Sequence, residues 1–60
     1  MQASDVQSIY KELIENKQVD LPEVLTDYDI QVLLQIIAFR LKKEHPFWFL
    51  QHKDRHIQII

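Results

Sequence analysis

His45-Pro46-Phe47-Trp48-Phe49-Leu50-Gln51-His52-Lys53-Asp54-Arg55-His56-Ile57-Gln58-Ile59-Ile60 is the stretch on which the fold turns. His45-Pro46 ends any preceding helix, because the proline ring disfavours helical geometry in the residue before it. Pro46 then serves well as the first residue of a new helix. Read as a helix, the segment puts Phe47, Leu50, Asp54 and Ile57 on one side, with Phe49, Lys53 and Ile60 adjacent. Charge interrupts that stripe. His56-Ile57-Gln58-Ile59 also alternates like a strand, but a lone strand has no partner. The chain contains no glycine, which argues against a tight hairpin turn. The pattern predicts a third helix over about residues 46–57 with a frayed end.

Upstream, the helical period is plainer. Thr26 or Asp27 opens a helix over 27–44, with Asp27 and Asp29 in the first turn and Lys42 and Lys43 near the end, as the helix dipole favours. Ile30, Leu33, Leu34, Ile37 and Leu41 form one stripe. Val32, Ile36 and Phe39 widen it beyond a single face, and a helix apolar over most of its circumference is normally buried. Residues 17–26 contain Pro22, which breaks a regular helix. Their Val19, Leu21, Val24 and Leu25 suit a lid folded over the core. The first segment is a helix over about 5–16: Val6, Ile9, Tyr10, Leu13 and Ile14 keep helical spacing. Ser4 and Gln7 make a capping box before it.

The fold class expected is therefore all-α: a helical hairpin plus a third C-terminal helix, in a single small domain spanning 1–60. At 60 residues, 47% of them hydrophobic and none cysteine, the chain has a marginal core with no disulfide to staple it. Oligomerisation is the usual remedy. Homodimerisation with Val32, Ile36 and Phe39 as the seam is expected.

Several chemistries drop out. Zero cysteine excludes a thiolate zinc site and a cysteine nucleophile, and zero glycine excludes glycine-based phosphate loops. No apolar run exceeds four residues, far short of the roughly 18–20 of a membrane span. The polar start is unlike a secretory signal, so the expected compartment is the cytoplasm. His52 and His56 lie four apart, a spacing that suits zinc on a helix, but no glutamate base accompanies them as in His-Glu-x-x-His. Ser4 and Ser8 sit at a helix start without a histidine partner. No enzyme, metal or cofactor is expected.

Charge is uneven. Residues 1–39 carry two lysines against seven carboxylates, and residues 40–60 carry five basic side chains against two acidic ones. That asymmetry admits a small DNA- or RNA-binding regulator as the alternative function, although the field is weak for a polyanion. The acidic first helix disfavours a membrane surface. The sharper feature is Phe47-Trp48-Phe49-Leu50, since one buried helix face cannot absorb four consecutive large side chains. The expected function is a small non-enzymatic regulatory or adaptor protein. Its protein-binding face would be Phe47, Trp48, Phe49, His52, Arg55 and Ile59, with Trp48 serving binding more than folding.

Overall fold

The computed structural model describes residues 3–60. Five elements follow in order: helix α1 (Ala3–Asn16), strand β1 (Gln18–Asp20), helix α2 (Asp27–Glu44), strand β2 (Leu50–Lys53) and strand β3 (His56–Ile59). The three strands form one antiparallel sheet in the order β1-β3-β2. The fold is α+β. The all-α expectation, its helical hairpin and its third helix over 46–57 are overturned.

The physical reason lies in two residues that accept a left-handed backbone without glycine. Asp54 has φ 53° and, with Arg55, makes a two-residue turn that pairs Lys53 with His56. Aspartate tolerates this region better than most residues, because its short side chain bonds locally. Lys17, at φ 65°, ends α1 and turns the chain directly into β1. Gln18-Val19-Asp20, expected within a lid, is thus the partner that the C-terminal strand lacked: Val19 pairs with Ile57 and Asp20 with His56. β1 also separates the two helices, so they are not a hairpin.

Side-chain alternation then divides the sheet. Val19 and Ile57 point into the core, while Gln18, Asp20, Gln51, Lys53, His56 and Gln58 share the outer face through their registers. The helices cover the inner face. Tyr10 and Leu13 of α1, Leu21 and Leu25 of the connection, and Ile30, Leu33, Ile37 and Leu41 of α2 complete the buried cluster. Leu13, Leu33, Ile37 and Ile57 are wholly enclosed. Each such side chain contributes about 1.5–3 kcal/mol of hydrophobic stabilisation.

Local rules set the helix ends. Thr26 caps α2: its Oγ1 accepts from the Asp29 N–H at 3.1 Å, and Asp29 Oδ2 accepts from the Thr26 N–H at 3.2 Å. These bonds hold the Asp29 carboxyl below its ordinary value. Ser4 lies inside α1 and is not its cap.

The connection between β1 and α2 is tied to the hairpin by Arg55. Its Nη1 donates to the carbonyls of Pro22 and Leu25, both at 2.9 Å, and its own carbonyl accepts from the Leu21 N–H at 2.7 Å. On the far side, the Tyr10 hydroxyl donates to Glu44 Oε1 at 2.9 Å, joining α1 to the end of α2. Arg40 bonds the other oxygen of Glu44 at 3.1 Å and lies over the Tyr10 ring. Burial and the bonded carboxylate push the Tyr10 phenol up to about 12. The same phenol and Arg40 lower the Glu44 carboxyl.

Candidate functional site: an exposed aromatic surface

The link from α2 to β2 carries the densest aromatic sequence. His45 closes α2 by donating its N–H to the Leu41 carbonyl, and Trp48 N–H returns to the His45 carbonyl at 3.0 Å. Phe47 is a central residue of that turn, and the chain extends only beyond it. Phe47 points to solvent, 88% exposed, and so does Phe49, 70% exposed, while Trp48 turns back toward the core. Ile60 N–H donates to the Phe49 carbonyl at 2.9 Å, fixing the segment beside the end of β3.

Trp48 is gripped on both faces. His45 stacks parallel to it with centroids 3.8 Å apart, and Lys17 Nζ lies 3.1 Å from its ring centroid. Two groups this close to one ring occupy opposite faces. The left-handed Lys17 that starts β1 thus also supplies the cation over Trp48. Phe49 lines a shallow groove of about 260 Å3, with Ala38 and Lys42 of α2 on one wall and Pro46 and Leu50 on the other.

The remaining residues of the expected binding face are dispersed. His52 is exposed on the β2 edge, Ile59 is half-buried against the core, and Arg55 holds two backbone carbonyls. The sheet register places His52 with Ile57 and His56 with Lys53, so the two histidines face opposite ways. The single helical face that would have joined them does not exist. Among the described residues, no group of three His, Cys, Asp or Glu side chains could hold a metal ion.

His56 belongs to a polar chain on the outer sheet face. Its Nδ1 lies 2.7 Å from Asp20 Oδ1 and its Nε2 lies 3.3 Å from Gln58 Oε1. Both partners present acceptor oxygens, so the ring can bond both at once when it is protonated. Gln58 donates onward to Gln51 at 3.0 Å. The bond to Asp20 is the main cause of a raised His56 pKa.

The expected seam residues lie together on α2, turned away from the core: Val32 half-buried, Ile36 partly exposed and Phe39 76% exposed. Tyr28, 74% exposed, extends the same row and was not singled out from the sequence. Its spacing to Val32, Ile36 and Phe39 was the available signal. No helix among the described residues is long and apolar enough to cross a membrane. Comparison with protein-family models, with curated proteins and with solved structures gives no match.

Proposed function

We propose that this chain is a small non-enzymatic regulatory or adaptor protein of the cytoplasm that works by binding another protein through Phe47 and Phe49. The observation that carries this reading is the placement of its phenylalanines. All three in the chain stand in solvent, while leucine, isoleucine and valine fill the core with Tyr10. Aromatic side chains are the enriched anchors of protein interfaces. Phe47 and Phe49 project from a segment whose geometry is fixed by Trp48 between them, so little ordering cost remains on binding. The adjoining groove beside Phe49 and Lys42 offers a place for an apolar side chain of the partner.

The nucleic-acid alternative has less to rest on. Two of the five cationic side chains in the C-terminal third are engaged within the fold, Arg40 with Glu44 and Arg55 with the Pro22 and Leu25 carbonyls.

The test is capture of binding proteins by the immobilised chain and by a Phe47→Ser/Phe49→Ser variant. Loss of an aromatic anchor commonly weakens binding about thirtyfold, so proteins held by the wild type should be lost by the variant while its circular dichroism stays native. Equal capture by both chains refutes this face. A low-salt gel shift with nucleic acid bound by both chains would support the alternative.

A further inference from the structure

We propose that the outer face of α2 is the seam of an antiparallel homodimer, with a second copy of this chain as its occupant. The proposal is independent of what Phe47 and Phe49 bind. At 3.6 residues per turn, Tyr28, Phe39, Val32, Lys43 and Ile36 fall within about 80° of the helix circumference. Ile30, Leu33, Ile37 and Leu41, which fill the core, are centred roughly 150° away. α2 thus has two apolar faces, one of them closed by α1 and the sheet. The open one bears a shallow depression formed by Gln35, Ile36, Phe39, Arg40, Lys43 and Glu44, all from α2 itself.

Charge along this face selects the occupant and its direction. Asp29 of the acidic first turn and Lys43 of the basic last turn flank this face at its two ends, while Asp27 and Lys42 point elsewhere on the wheel and Glu44 is bonded to Tyr10 and Arg40. A parallel copy would set like charge against like. An antiparallel copy sets each acidic end beside a basic one and aligns the two helix dipoles favourably. Crossed near residues 35 and 36, the copies put Val32 against Phe39 and Ile36 beside Gln35. Tyr28 then meets Lys43 of the second copy, a cation on an aromatic ring, with Asp29 adjacent. Val32 with Phe39 and Tyr28 with Lys43 are complements within the stripe, and Ile36 meets Gln35 at its margin, so the surface is self-complementary as a twofold interface requires. A seam one helix wide falls below the roughly 1,200 Å2 of a stable interface, so the dissociation constant should be in the micromolar range.

Sedimentation equilibrium of the full chain from about 1 µM to about 1 mM should show mass rising from monomer to dimer, with the dissociation constant in that window. Phe39→Lys should raise the dissociation constant at least about thirtyfold, with native circular dichroism. Direction is read by mixing Tyr28→Lys with Lys43→Glu. In Tyr28→Lys alone the new lysine faces Lys43 of the second copy, and in Lys43→Glu alone the new glutamate faces Asp29 of the second copy, so each variant sets like charges at the ends of the seam and should stay monomeric. Together they bring Lys at 28 against Glu at 43 and should form a heterodimer. A chain that stays monomeric throughout, an unchanged dimer in Phe39→Lys, or no gain on mixing would each overturn the proposal. The mixing arm remains decisive even if Phe39→Lys loses its fold.

Discussion

Trp48→Ala and Phe47→Ala should part sharply, although the residues are adjacent. Removing a buried tryptophan to alanine costs about 3–5 kcal/mol. Trp48 keeps some exposure, which lowers this to about 2–3 kcal/mol. Within that sum are the His45 stack, at about 0.5–1.5 kcal/mol, and the Lys17 cation, at about 0.5–1 kcal/mol. Phe47 gives up almost no buried area and should change stability by less than about 0.5 kcal/mol. In a domain of this size each kcal/mol moves the melting temperature by about 4–8 °C, so Trp48→Ala should melt at least about 8 °C lower. Thermal and urea unfolding followed by far-ultraviolet circular dichroism would measure both variants. Wild-type Trp48 fluorescence should be only partly quenched by iodide. If Trp48→Ala melts within about 3 °C of wild type, or if Phe47→Ala is the more damaging, the sandwich does not hold the aromatic segment in place.

Arg55→Ala should lower stability by about 1.5–3 kcal/mol, since it removes charge-assisted bonds to two carbonyls, and hydrogen exchange should rise at Leu21 and Leu25. Arg55→Lys should recover only part, because one ammonium cannot reproduce the guanidinium fork. His56 gives a pH signature. Its folded pKa is raised, so its stabilising effect is fully present below the ordinary value of 6.5 and is lost as pH rises through the folded value. The melting temperature should therefore fall across that interval in the wild type and much less in Asp20→Asn, and a His56 titration midpoint by NMR that is unmoved in Asp20→Asn would contradict the assignment.

Both helices were readable because each carries a long apolar period, and the Thr26 start and Pro46 stop have local causes. Leu13, Leu33, Ile37 and Leu41 followed from that period. The sheet was not readable for equally specific reasons. β1 is three residues with one apolar side chain, too short for periodicity to register, and its partner lies more than thirty residues away. The hairpin turn uses Asp54 where glycine or asparagine is the usual signal, so the absence of glycine misled. The alternation of His56–Ile59 was visible, but its partner Leu50–Lys53, with one apolar residue in four, carries no strand pattern of its own. The aromatic run was weighed as part of a helix, but it lies in a turn and an extended segment. Which of its members points outward depends on backbone geometry: helical residues diverge by about 100°, whereas here the Pro46-Phe47 turn sends Phe47 out and the extended chain after it turns Trp48 in and Phe49 out.

The central strand of the sheet is also its last in sequence, which bears on how the protein is made. α1, β1 and α2 leave the ribosome first, with Val19 and the open edge of β1 waiting for a partner more than thirty residues downstream. At about 5–20 residues per second, that wait lasts a few seconds. β2 gains nothing on emerging, because it pairs with β3 and not with β1. The sheet therefore closes in a single late event, when Ile57 reaches the core and joins both edges at once. A nascent chain halted before His56 would present two unmatched edges and an unfilled core to chaperones and proteases, and proteolytic trimming back to that point would undo the sheet completely.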